Sequence, residues 1–157
     1  MAVNPVPDGY HTVTAYFVVD DAARALDFYR DAFGAKELSR LPMGEKIGHA
    51  EILVGDTHLM LSDEWPDMGT LGPKARGGPT ASFVIYGDDA DAAFDRAIKA
   101  GAKADRPVAD QMWGDRMGTV IDPFGHKWSL ATHIEDVPPE ELSRRMQEWT
   151  QAQAAAG

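Results

Sequence analysis

Asp20-Asp21-Ala22-Ala23-Arg24-Ala25-Leu26-Asp27-Phe28-Tyr29-Arg30-Asp31-Ala32-Phe33-Gly34-Ala35-Lys36 has a partial copy further along the chain, Asp88-Asp89-Ala90-Asp91-Ala92-Ala93 closing on Gly101-Ala102-Lys103. The two Gly-Ala-Lys turns are 67 residues apart, and Gly55 of Gly-Asp-Thr-His stands 70 residues before Gly125 of Phe-Gly-His-Lys. Register is therefore kept through most of each half, and the chain reads as two copies of one small module. A ligand site is expected between the halves.

Each copy opens in the same way. Residues 12–19 are β-branched and aromatic apart from Ala15 and stop at Asp20-Asp21, which can cap a following helix. Residues 22–33 place Ala25, Leu26, Tyr29, Ala32 and Phe33 on one helical stripe, and Gly34 supplies a left-handed C-terminal cap. Residues 36–41, 46–54 and 57–62 read as three short strands, with Gly55-Asp56 as a tight hairpin turn. Residues 65–79, rich in Gly, Pro and charge, read as a linker. In the second copy, residues 80–86 form a strand and 89–100 a helix closed by Gly101. Residues 103–107 form a short edge strand limited by Pro107, and 117–121 with 127–132 the closing hairpin.

The expected fold is α+β: tandem βαβββ modules forming a curled mixed sheet, at about 10–64 and 80–133 within a single domain 1–135. A C-terminal helix and tail occupy 136–157. That helix opens at Pro138-Pro139-Glu140-Glu141 and carries Leu142, Met146 and Trp149 as a stripe able to dock on the domain or on a second subunit. Its Ala-rich end is expected to fray.

With 157 residues and 44% hydrophobic content, the chain can build one compact core. No apolar run approaches a membrane span and no leader is visible, so the expected location is the cytoplasm. The absence of cysteine excludes disulfides, thiolate metal sites and thiol nucleophiles. A net charge of −10 argues against nucleic acid, whose phosphates need clustered Lys and Arg. No Gly-rich phosphate loop or Ser-His-Asp arrangement is present, and the methionines read as packing.

Asp-(seven residues)-Tyr-Arg-Asp-Ala-Phe-Gly in the first half and Asp122-Pro123-Phe124-Gly125-His126 in the second make the chain resemble the vicinal oxygen chelate superfamily. That superfamily includes glyoxalase I, extradiol dioxygenases and bleomycin-resistance proteins. Gly48-His49-Ala50-Glu51, the run 59–64, and Trp113-Gly114-Asp115-Arg116 leading into Asp122–Trp128 are similar to its PhnB-like branch. The resemblance covers about 12–132. It implies that each half curls into an open cup, that paired halves enclose a cavity, and that the protein is a homodimer binding a small molecule.

The resemblance also implies where a divalent metal would be held, on the first and last strands of each module. Those positions carry Thr14, Ser82 and Ser129 here, with Leu59 and Leu61 near the equivalent strand end of the first module. Hydroxyl and alkyl groups do not make a tight site for zinc, nickel or iron, and a one-residue slip supplies nothing better. No cofactor is therefore expected. A metal remains the alternative through His49 and Glu51, which share one face of a strand, with a third ligand from Asp115, His11 or Asp63.

Without a metal, Glu51 with His49 is the candidate for proton transfer. A carboxylate in an apolar cup has its pKa raised unless His49 holds it ionised. By the 70-residue offset Glu51 corresponds to Ile121 and His49 to Thr119, so Met117, Thr119 and Ile121 are expected in the same cavity. Tyr16 and Trp113 either line that cavity or fill core; against a cationic ligand each contact would contribute about 0.5 to 2 kcal/mol. Asp115-Arg116 either clamps a ligand or forms an ion pair fixing the loop between Gly114 and Gly118. Asp122-Pro123-Phe124-Gly125 reads as an architectural turn, and His58, His126 and His133 as surface residues.

The expected ligand-binding set is thus Thr14, Tyr16, Ser82, Trp113, Asp115, Arg116, Thr119 and Ser129, with Glu51 and His49 as catalytic candidates. The leading functional expectation is metal-independent binding, sequestration or carriage of a hydrophobic or planar small molecule. The alternatives are a lyase, isomerase or dioxygenase-like enzyme of the same fold, and a structural subunit with no ligand.

Overall fold

A computed structural model describes residues 3–156. The first module runs β1 (Tyr16–Val19), α1 (Ala22–Phe33), β2 (Lys36–Met43), β3 (Lys46–Val54) and β4 (Thr57–Asp63). A linker holding a 3-10 turn at Pro66–Met68 leads to the second: β5 (Ser82–Tyr86), α2 (Ala90–Ala100), β6 (Lys103–Asp110), β7 (Asp115–Ile121) and β8 (Lys127–His133). The chain ends in α3 (Pro139–Ala156). Each module is a four-stranded mixed sheet, ordered β1-β4-β3-β2 and β5-β8-β7-β6, with the first strand parallel to the last. The expected α+β fold of two βαβββ modules is what the chain adopts.

The helices start and stop where their caps dictate. Asp21 accepts from the Arg24 amide at 3.0 Å and Asp89 from the Ala92 amide at 2.9 Å, each satisfying a first-turn donor with no partner inside the helix. Gly34 and Gly101 close the two helices at φ 68° and 118°, where a side chain would be strained.

The edge strands run further than expected. β2 passes through Pro42 and β6 through Pro107, because each proline sits at an irregularity on an outer strand, where its missing N–H forfeits no ladder bond. By contrast β1 begins at Tyr16 rather than at residue 12: a strand needs a partner, and the paired register with β4 opens at Tyr16↔Met60. The Ala-rich end of α3, expected to fray, is helical to Ala156.

The modules join through their helix-side faces. Phe17, Tyr29 and Phe33 of the first meet Phe83, Phe124 and Trp128 of the second, with Phe83 stacked on Trp128 at 4.5 Å and Phe33 tilted against it at 4.7 Å. At the centre lies Asp122, buried, accepting from the Tyr29 hydroxyl, the Trp128 indole and the amides of Phe124 and His126 at 2.8 to 2.9 Å. Four donors compensate for burying that carboxyl. The Asp-Pro-Phe-Gly turn is architectural, and it also bolts one module to the other.

His126 is not a surface residue. It is buried and bonds the Val18 carbonyl on the free edge of β1 at 2.8 Å. The centre of the contact between the halves of one chain is therefore aromatic core, and open space between them is confined to the flanks of that core. The sheet faces turned away from the helices, here called the cups, lie outside that core.

Candidate functional site

Alternation along β3 builds the first cup. Ala50 and Ile52 are buried under α1, so His49 and Glu51 between them project from the opposite face with about a quarter of each side chain exposed (26% and 25%). Glu51 stands opposite Met60 on β4, and Met60 opposite Tyr16 on β1, so these three form one row across the sheet. Leu59 and Leu61, which the sequence put near the equivalent position, point to the helix and are buried; Met60 between them faces the cup.

The polar groups of this cup are connected. His49 Nε2 lies 3.2 Å from Glu51 Oε1, and the Tyr16 hydroxyl 3.1 Å from His49 Nδ1. A carboxylate only accepts, so Nε2 carries the proton; with a neutral ring, the Tyr16 hydroxyl then donates to Nδ1. Tyr10, from the N-terminal segment, donates to Glu51 Oε2 at 2.5 Å and lays its ring on His58. Burial and the bond to Glu51 push the Tyr10 hydroxyl up to about 12.

Glu51 moves the other way. The Tyr10 hydrogen bond first, and that of His49 next, outweigh burial and hold its carboxyl below the usual range. The raised pKa considered for an apolar cup does not arise, and Glu51 is an ionised acceptor.

The second cup is built by β5, β8 and β7. Caps and strand pairing place Glu51 in correspondence with Thr119 and His49 with Met117, an offset of 68. The expected match to Ile121 fails because five residues, 122–126, separate β7 from β8, whereas Gly55-Asp56 alone joins β3 to β4. The slip is even, so Met117, Thr119 and Ile121 still face a cup, but that of the second sheet rather than one shared with Glu51.

Thr119 and Ser129 are buried and bond each other at 3.1 Å. Ser82 and Val84 are exposed beside them, and Thr14 is half-buried at the entrance to β1. Towards the rim, Asp115 is 4% exposed and accepts from the Tyr86 hydroxyl at 2.8 Å, the Trp113 indole at 3.0 Å and His133 Nδ1 at 2.8 Å. Burial raises the Asp115 carboxyl, but the bonds from His133, Tyr86 and Trp113 together outweigh it and leave the pKa lowered. His133 Nε2 meets Asp136 at 2.9 Å, and Asp136 first, Asp115 second, raise the imidazole's pKa. His133 is thus a bridge on this rim, beyond its expected surface reading.

Arg116 is outside the cup. Neighbouring strand residues face opposite ways, so while Asp115 enters the cup, Arg116 turns to the helix side and pairs with Asp91 on α2 and Asp110 on β6. The Asp115-Arg116 ion pair weighed from the sequence is not formed.

At the positions where the resemblance would place a metal stand Thr14, Ser82 and Ser129, and strand register puts Met60, rather than Leu59 or Leu61, on the cup face at the fourth. Three neutral hydroxyls and a thioether, one hydroxyl already bonded to Thr119, do not fit a hard or borderline divalent ion that takes imidazole and carboxylate. Nor do the third ligands considered for His49 and Glu51 join them. Asp63 is buried on the helix side, accepting from the Ala22 and Ile47 amides at 2.8 and 2.6 Å, Asp115 belongs to the other sheet, and His11 is exposed.

Two grooves flank the aromatic seam. One of about 430 Å³ lies between Val54–Leu59 and β5 over Trp128; the other, about 350 Å³, runs along β1 beneath residues 71–81. Both fall in the size range of small-molecule pockets. Sequence reasoning missed Tyr10, Met60, Tyr86 and His133. Period two on β5 would have placed Tyr86 with Ser82 and Val84, whereas nothing local announces Tyr10.

The model of the Glyoxalase/Bleomycin resistance protein/Dioxygenase superfamily matches residues 10–130. An uncharacterised protein of Mycobacterium bovis is 40% identical over 150 residues, covering 93% of this chain and 96% of its own. One of Mycobacterium tuberculosis is 40% identical over the same length, with 86% of its own chain covered. Among solved structures, TioX from Micromonospora sp. ML1 is 28% identical with a TM-score of 0.62, over 79% of this chain and 99% of that one. An Arabidopsis thaliana gene product is 25% identical with a TM-score of 0.64, over 78% and 98%. A Bacillus cereus PhnB protein, 16% identical with a TM-score of 0.61 over 78% and 99%, shares the fold.

Proposed function

The chain belongs to the Glyoxalase/Bleomycin resistance protein/Dioxygenase superfamily, and from that premise we propose that it is a metal-independent small-molecule-binding protein whose ligand sits on the cup faces. One observation carries this reading: on the first cup a connected set of aromatic and polar groups, Tyr16, His49 and Glu51, lies beside Met60, while the positions at which the resemblance would place a metal carry only Thr14, Ser82 and Ser129. Flat apolar walls with a few fixed hydrogen-bonding groups are the make-up of a ligand site.

The ligand is hydrophobic or planar, sequestered or carried rather than chelated, and the protein works in the cytoplasm as a homodimer. No helix among the described residues is long and apolar enough to cross a membrane. Exposed Tyr16, Val84 and Tyr86 on the cups favour a second copy closing them.

Elemental analysis after incubation with zinc, nickel, manganese and ferrous iron, then desalting, tests the reading together with a ligand screen. Expected are metal far below one per chain and at least one ligand whose binding is lost on replacing Glu51 by Gln. Stoichiometric metal overturns it.

A second reading, a lyase or isomerase, is favoured by the ionised Glu51 tied to His49, a pair arranged to accept a proton. Glu51→Gln separates the two: a substrate still bound but no longer turned over selects the enzyme.

A further inference from the structure

Residues 3–15 have no helix or strand, yet the segment is fastened across the first cup. Tyr10 lies over His58 with ring centroids 4.1 Å apart and the planes tilted by 31°, and its hydroxyl donates to Glu51. The Tyr10 amide bonds the Pro7 carbonyl at 3.1 Å, turning the chain so that the ring enters the cup. Gly9 makes the approach possible. At its φ of +83° a side chain is strained, and a Cβ there would stand 2.9 Å from His58 Cε1.

Closure leaves one group unsatisfied. His58 Nδ1 is buried and has no hydrogen-bond partner among the described residues. A buried imidazole nitrogen in that state has lost the bond that water gives it when open, which opposes closure. Tyr10 therefore fills the cup without meeting all of its polar groups.

We propose that Tyr10 is a built-in occupant of the first cup, displaced by a ligand that repeats its chemistry: an aromatic ring bearing a hydrogen-bond donor, packed over His58 and donating to Glu51. When Tyr10 lifts, Glu51 Oε2 loses its donor while Oε1 keeps His49, and the face of the His58 imidazole loses the ring that covers it. The free Nδ1 gives an advantage to a ring with a second polar group beside it. The inference rests on reading the cup as a small-molecule site. It adds the ligand's class and a strap that must lift before the ligand enters.

The probe is p-cresol, the tyrosine side chain as a free molecule, with toluene as the control lacking the hydroxyl. Both are titrated into the wild-type chain and Tyr10→Ala while the His58 ring is followed by NMR. Because the strap competes for the site, p-cresol is expected to bind Tyr10→Ala about tenfold more tightly than wild type. It is expected to shift the His58 resonances and to lose its affinity when Glu51→Gln is added; toluene binds neither form.

Equal p-cresol affinity for both forms, or none for either, overturns the inference. Tyr10→Phe, which keeps the ring, serves if the alanine variant does not fold; tighter p-cresol binding than wild type supports the inference and unchanged binding overturns it. Absence of a nuclear Overhauser contact between the Tyr10 and His58 rings in the free protein also overturns it. A library compound bound equally by wild type and Tyr10→Ala sinks this inference alone, whereas a library without ligands for either sinks the cup reading with it.

Discussion

His133 shows how much one residue draws from its surroundings. Both its ring nitrogens face carboxylate oxygens, Asp115 at 2.8 Å and Asp136 at 2.9 Å, so only the doubly protonated ring satisfies both. Its pKa is raised above the ordinary 6.5 in the folded chain, so its contribution to stability is fully present below 6.5 and is lost as pH rises through the folded value. Asp115 is lowered below its ordinary 3.8, so its contribution is present above 3.8 and is lost as pH falls through the folded value. Thermal melts between about pH 3 and about pH 9 are expected to show both edges, with His133→Gln flattening the alkaline one and Asp115→Asn the acid one. Superimposable alkaline edges in wild type and His133→Gln would mean that the bridge does not form. Neither partner was legible as such, since Asp115 and His133 are 18 residues apart and meet only through the β7–β8 register.

At the scale of elements, the sequence was most informative where local chemistry decides. Asp21 with Gly34, and Asp89 with Gly101, mark both helices because capping groups act within a few residues of the ends they satisfy. Strand limits were less legible, because a strand ends where its partner does. Gly118 on β7 shows what packing adds: a Cβ there would stand 2.7 Å from the Phe94 ring of α2 and from Val108 Cγ2. Gly118→Ala is therefore expected to lower unfolding free energy by about 1 to 3 kcal/mol in denaturant melts, as overpacking does. A change within error would show that α2 yields freely at this contact. The third helix is fixed differently: Arg145 holds Glu135 at 2.7 and 2.9 Å and reaches the Met112 carbonyl, while Met146 and Trp149 remain exposed. Of the stripe expected to dock on the domain or on a second subunit, Leu142 is half-buried and Met146 and Trp149 are exposed.

For the whole molecule, the decisive fact is which faces the modules use to meet. Helix-side aromatics form the seam, so apolar groups on the cups are left in water: Tyr16 is 49% exposed, Val84 50% and Tyr86 61%. Covering such groups is the main driving force for association. Light scattering is expected to give twice the 17.1 kDa chain mass for wild type, and the chain mass for Val84→Asp with an unchanged folded spectrum. A monomeric wild type would mean that Tyr16, Val84 and Tyr86 stay exposed to solvent.

The sequence by itself determined the duplicated βαβββ plan, the helix ends and the architectural Asp-Pro-Phe-Gly turn. Each of these is written in residues close together or repeated at a fixed offset. Only the tertiary structure decided that the halves are joined by a solid aromatic seam, that Arg116 leaves the cup, that Glu51 is held ionised by Tyr10 and His49, and that Tyr10 lies over His58. Those outcomes depend on which distant groups share a face and how much water is excluded between them. Contacts across 41 residues, as between Tyr10 and Glu51, are set by packing rather than by local pattern.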